Sequence, residues 1–307
     1  MPSTSKQPWS PVRHAGNGTV RLAFDQLTEG GDGEPLLVVT GLGVNRLWVP
    51  DGLCRMLAAR GFAVARYDHR DSGESTHLPP AATRNPIAAL FARRGDAYTA
   101  EDMADDAVAV LDALEWPSAH LLGVSLGGAV AQRVALRHPG RVRTLTSMAA
   151  VPGDVGGLRT MRFIRMGTLA RFARLRFPDT REGAVAAGVA VSRLLASPGR
   201  DFDEAAAREA VERNADGGVH DQRAQSRQIG AQWHGPPISA IDRPTLVLHG
   251  EDDPLIKPLA GRVVAARIPG ARLVPLPGVG HELPPAAWET ITTEIRRLAD
   301  CPRPARP

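Results

Sequence analysis

The chain has 307 residues, of which 43% are hydrophobic and 23% charged, a mix that excludes a largely disordered protein. Basic side chains number 37 against 33 acidic, and 35 of the basic ones are Arg; a net charge of +4 over this length is too weak a field to predict a nucleic-acid partner. Two cysteines, Cys54 and Cys301, allow no disulfide framework and no CxxC-type metal spacing, so a reducing, cytoplasmic setting without a metal is expected.

Residues 1–18 are polar with Pro and Gly and predict a loose arm. They carry no apolar core of a signal peptide, and no run along the chain approaches the ~18 apolar residues of a membrane span. Val20, Leu22 and Phe24 alternate with polar neighbours, which predicts an outer antiparallel strand. The next apolar runs do not alternate: Leu36–Thr40, Phe62–Tyr67, His120–Val124, Val142–Met148 and Thr245–His249. Such runs are strands buried on both faces, hence a parallel sheet. Helices are predicted between and after them, at Leu47–Arg60, Ala100–Leu114 with Thr99 as N-cap and Asp102 three residues on, Gly127–Arg137, Pro258–Arg267 and Pro285–Leu298. The alternation predicts an α/β fold with a doubly wound, mostly parallel sheet.

Residues 153–235 break this rhythm. Met161, Ile164, Thr168, Phe172 and Leu175 recur at three- and four-residue steps, with Arg162, Arg165, Arg171 and Arg174 between them, predicting one amphipathic helix. Further helices are predicted at Glu182–Leu195 and Glu204–Arg213. The expected organisation is a core of residues 19–152 and 236–307 with a helical cap at 153–235. The cap arginines either form a solvated face or draw in an acidic substrate or a membrane surface.

Gly123-Val124-Ser125-Leu126-Gly127 fits G-x-S-x-G between a predicted strand and a predicted helix. A strained turn there projects the Ser125 hydroxyl, and glycines two residues either side leave it room. A serine needs a base. His281, in the loop Gly278-Val279-Gly280-His281-Glu282 after the predicted last strand Leu273–Leu276, sits at the same sheet edge. His120, His138 and His249 sit at the ends of predicted elements and suit structural roles. The orienting acid comes from Gly250-Glu251-Asp252-Asp253-Pro254; Asp253 fits best, with Asp252 and then Asp154 as alternatives. Two backbone donors are needed for an oxyanion, and Leu42 and Leu126 N–H are the candidates. The residues support acyl-type chemistry that needs no cofactor, with a small-molecule partner, an ester among the possibilities. A competing reading takes Gly41-Leu42-Gly43-Val44-Asn45-Arg46 with Asp68 as a dinucleotide site, but the third glycine is replaced by Arg46.

On these residues the chain resembles the α/β-hydrolase superfamily over nearly its whole length. The stretch Tyr67-Asp68-His69-Arg70-Asp71-Ser72-Gly73-Glu74-Ser75 is similar to the loop that follows the superfamily's fourth strand, with Asp71 in place of a Gly. Thr40 stands where a His commonly precedes the oxyanion-hole Gly. That version of the loop, together with Trp48-Val49-Pro50 and the Pro244–Pro284 segment, resembles the aclacinomycin methylesterase group of polyketide-tailoring enzymes. The resemblance implies a Ser125–Asp253–His281 triad and removal of a methyl ester from an aromatic polyketide. Superfamily relatives also cleave carbon–carbon bonds, form peracids or act as non-catalytic receptors, and these alternatives stay open here.

Overall fold

The computed structural model describes residues 9–27, 33–79, 97–178, 180–216 and 222–301. An eight-stranded sheet runs in the order β1-β2-β4-β3-β5-β6-β7-β8. The strands are β1 (Arg13–Asn17), β2 (Val20–Gln26), β3 (Glu34–Val39), β4 (Phe62–Tyr67), β5 (Ala119–Val124), β6 (Val142–Met148), β7 (Thr245–Gly250) and β8 (Arg272–Leu276). The pairs β1·β2 and β2·β4 are antiparallel, and every other pairing is parallel. The predicted arm therefore needs correction at its end. Residues 13–17 form the edge strand, pairing Ala15 with Leu22 across a tight turn whose Gly18 has φ +60°. Residues 1–8 of that arm lie outside the described residues.

The uninterrupted apolar runs are explained by two cores, one on each face. Leu37 and Val39 feed one core, with Met103, Ala107 and Val110 of α2 (Ala100–Ala113) and Val130 and Val134 of α3 (Leu126–Arg137). Leu36 and Val38 feed the other, with Leu53 and Leu57 of α1 (Asp51–Ala59) and Ile291 and Ile295 of the C-terminal helix. Successive residues of this strand point to opposite cores, so Leu36 to Val39 are apolar without a break. Helix α1 begins after Pro50, not at Leu47, because a short 3₁₀ turn at Arg46–Trp48 precedes it. Thr99 and Asp102 form the predicted capping box on α2.

Between β6 and β7 lie α4 (Met166–Phe172), α5 (Arg181–Leu195), α6 (Glu204–Asp216) and α7 (Gln222–Gly230). The single amphipathic helix predicted over Met161–Leu175 does not form. A 3₁₀ segment ends at Arg162, and Ile164 then pairs as an antiparallel bridge with Ile256 before α4 begins. Backbone bonds Arg165 N–H to Leu255 O and Lys257 N–H to Phe163 O fix this bridge, at 2.9 and 2.7 Å. The apolar spacing was real, but the backbone at residues 163–165 is recruited by the turn after β7. Helices α8 (Leu259–Arg267) and α9 (Pro285–Asp300) complete the described fold. No helix among the described residues is long and apolar enough to cross a membrane.

Arg46, the residue that spoils the dinucleotide motif, is buried in an ion network. It meets Asp25 at 3.1 Å, Asp68 at 2.6 Å and Glu74; Asp25 also holds Arg66 at 2.8 Å. Asp25 therefore compensates two buried guanidiniums and ties β2, β4 and the loop after β3 together. Removing one partner of such a group leaves uncompensated buried charge. Asp25→Ala is expected to lower the unfolding free energy by about 3–5 kcal/mol in urea titrations; a loss under about 1 kcal/mol would show the network to be dispensable.

Candidate active site

Ser125 joins β5 to α3 with φ 57° and ψ −119°, a left-handed strain for a residue with a side chain. The strain is forced by close approach. A Cβ at Gly127 would fall on the Val39 and Thr40 carbonyl oxygens, and one at Gly123 on the Gly127 carbonyl oxygen. Ser125 N–H donates to Met148 O at 2.8 Å, anchoring the turn to the neighbouring strand.

The structure brings three of the predicted residues into one line. The Ser125 Oγ–H donates to His281 Nε2 at 3.0 Å, and His281 Nδ1–H donates to Asp253 Oδ2 at 2.8 Å. The carboxylate sets that tautomer, because an acceptor at Nδ1 places the ring proton there. Asp253 is fully buried, and its Oδ1 accepts from Leu255 and Ile256 N–H at 2.8 and 2.7 Å. Burial pushes the Asp253 carboxyl up, but the charge and hydrogen bond of His281, His249 and the Ile256 N–H outweigh it and hold the group below the usual carboxylate range.

The alternative acids are occupied elsewhere. Asp252 Oδ2 accepts from Ser197 Oγ at 3.0 Å, and Asp154 pairs with Arg267 and with Ile238 N–H. The three histidines weighed against His281 have structural partners. His138 bonds Asp105 and His120 bonds Thr144 and Glu34. Buried His249 donates from Nε2 to Ile256 O at 3.0 Å, and burial lowers its pKa.

The segment after α5 braces the histidine loop. His281 N–H donates to Leu195 O at 2.7 Å, and Glu282 accepts from Ser197 N–H at 3.0 Å and pairs with Arg200. Only glycine fits at position 280, where a Cβ would lie 2.5 Å from both Leu195 O and Ser197 N. Arg165 is exposed but does more than face solvent: its Nε donates to Asp253 O at 2.9 Å and props the acid turn. Sequence spacing had placed it on a helix and so missed that role. Arg171, Arg174, Arg193 and Arg208 instead border a cleft of about 470 Å³ between α4, α5 and α6, floored by Val189 and Leu194; none of the three aligned residues lines it.

The loop Gly41-Leu42-Gly43 lies beside the serine: a Cβ at Gly41 would be 3.6 Å from Ser125 Cβ. Among the described residues, the Leu42 and Leu126 N–H groups have no acceptor within the protein. Leu126 opens α3, where the first N–H groups are unpaired by helix geometry and the dipole is positive. A hydroxyl made nucleophilic by a held imidazole, next to backbone donors at a helix start, can attack an acyl carbon and stabilise the resulting oxyanion.

Comparison with known proteins places the chain in a family. The family model described as alpha/beta hydrolase fold matches residues 34–284. The chain is 32% identical to rhodomycin D methylesterase DnrP of Streptomyces peucetius, across 93% of this chain and 97% of that protein. The same figures hold for rhodomycin D methylesterase DauP of Streptomyces sp. (strain C5). The solved structure of the esterase RhEst1 from Rhodococcus sp. ECU1013 superposes with a TM-score of 0.69 at 20% identity, over 94% of this chain and 99% of that one. The chain belongs to the alpha/beta hydrolase fold family.

Proposed function

We propose that this protein is a cofactor-free serine esterase that removes a methyl ester from an aromatic polyketide. The observation that carries the reading is the hydrogen-bonded line Ser125–His281–Asp253 at a strained strand-to-helix turn. The substrate class is supported by the likeness to two rhodomycin D methylesterases over nearly the full length of both chains.

In this reading His281 Nε2 takes the Ser125 proton as Oγ attacks the ester carbonyl carbon. The carbonyl oxygen becomes an oxyanion, and Leu42 and Leu126 N–H hold it. The tetrahedral species collapses, His281 gives its proton to the departing methoxide, and methanol leaves an acyl-Ser125. Water, deprotonated by His281, then attacks the acyl carbon; the proton returns to Ser125 and the carboxylic acid is released. Asp253 keeps the imidazole in the tautomer that accepts from serine and stabilises the imidazolium. Residues 153–235 serve as the cap that shapes the space for the acyl group. The setting is the reducing cytoplasm, and burial that raises the Cys54 thiol to about 12 keeps that thiol unreactive there.

Two predictions follow from the aligned residues. Ser125→Ala lowers kcat on a p-nitrophenyl or methyl ester by about 10⁴-fold or more, and Asp253→Asn costs a similar factor. Asp252→Asn changes it less than about threefold; wild-type turnover in Ser125→Ala, or a larger loss from Asp252→Asn than from Asp253→Asn, contradicts the assignment. The second prediction concerns pH. A carboxyl held below its usual range adds stability that is present above about pH 4 and lost as pH falls through its folded value. Asp253→Asn should therefore lose less stability than wild type between about pH 5 and 3 in urea titrations, and equal slopes would contradict this.

A further inference from the structure

Helix α7, Gln-Arg-Ala-Gln-Ser-Arg-Gln-Ile-Gly, has little apolar content, and it buries polar groups against the core. Gln228 is 1% exposed. Its Oε1 accepts from the Gly43 N–H at 3.2 Å, and its Nε2 donates to Arg70 O and to Ser72 Oγ, each at 3.0 Å. Beside it, Arg227 grips Asp71 with two bonds of 2.7 Å, Nε to Oδ2 and Nη2 to Oδ1, and both side chains are shielded from solvent. Asp71 has φ +65°, a conformation that glycine adopts freely and other residues adopt with strain. This is the position where the resemblance expects glycine. The strained aspartate is held by Arg227 and by Leu78 N–H, which donates to Oδ1 at 2.8 Å.

The consequence lies at Gly43. That residue also has φ +67°, and a side chain there would run into Gln225 of α7. Gly41-Leu42-Gly43 is otherwise a permissive, glycine-rich stretch. The Gly43 N–H belongs to the peptide plane directly after Leu42. Fixing that plane restricts the rotation of Leu42, and with it the direction of the Leu42 N–H. It also withdraws the Gly43 N–H from competition for an oxyanion. A donor array of this kind acts only when it is held in place before the reaction.

We propose that Gln228 is a positioning residue of the oxyanion loop: α7, pinned to the core by the Arg227–Asp71 pair, holds the Gly43 peptide so that the Leu42 N–H stays in donor position beside Ser125. This rests on the reading of the protein as a Ser125 esterase with Leu42 as a donor. The helical segment between β6 and β7 then sets the chemical step as well as substrate fit, because one of its helices fixes a transition-state contact.

Gln228→Met, made in the full chain, keeps the side-chain length and removes the acceptor. It is expected to lower kcat on a p-nitrophenyl ester about tenfold or more, with KM within about twofold. A trifluoromethyl ketone adds to Ser125 and presents an oxyanion to the same donors, so its affinity should fall by the same factor as kcat/KM. If Gln228→Met does not fold, Arg227→Lys, which keeps the charge without the two-toothed bond, should show the same kcat-selective loss. A raised KM with unchanged kcat, or no change in kcat and ketone affinity, overturns the proposal. Ser125→Ala in the same assay separates the two readings. If it retains turnover, the esterase reading fails and the positioning role with it. If it is inactive while Gln228→Met behaves as wild type, the positioning role alone fails.

Discussion

No side chain can stand at residues 123 or 127, because the first turn of α3 presses against the carboxyl ends of β3 and β5. That contact forces Ser125 into the left-handed region and lifts its hydroxyl clear of the sheet. It also sets the start of α3 beside the loop after β3, where Gly41 packs against Ser125. The parallel sheet does the rest. Its carboxyl edge gathers the turns after β3, β5, β7 and β8, and these carry Leu42, Ser125, Asp253 and His281.

The electrostatics depend on burial that is offset by design of the turn. A fully buried carboxylate is unfavourable by itself. Asp253 meets that cost with two backbone donors and one imidazole N–H, and Arg165 bonds its carbonyl from outside the sheet. In so low a dielectric the Asp253–His281 contact is stronger than the same pair in water. Removing a donor from this cluster would therefore be felt at Ser125 through the imidazole.

What was legible in the sequence follows the same physics. The two-sided burial of β3 to β7 favours apolar side chains on both faces, so apolar runs such as Leu36–Val39 marked those strands directly, and the polar residues among them, such as Arg66 and His120, are buried with partners. The elbow was legible because its glycines answer a steric demand that nothing else satisfies. Asp253 was separable from Asp252 only in part, since the choice depends on the turn that gives Asp252 to Ser197 and Asp253 to His281. Three features escaped. Residues 13–17 form an edge strand with little apolar content to announce it. The apolar spacing over Met161–Leu175 hid a bridge to Ile256, a contact between segments far apart in the chain. Helix α7 docks through Gln228 and Arg227, and a helix held by hydrogen bonds and an ion pair has no hydrophobic period to read. The surplus arginine proved to be divided among buried ion networks, the acid turn and an exposed cleft.

The central claim is that Ser125 is a nucleophile activated by His281. The most direct measurement is intact mass after exposure to a fluorophosphonate, which phosphonylates an activated serine with loss of fluoride. The account predicts that the wild-type chain gains one probe mass, that Ser125→Ala gains none, and that His281→Ala labels far more slowly. An unlabelled wild-type chain, or labelling that persists in Ser125→Ala, would contradict it.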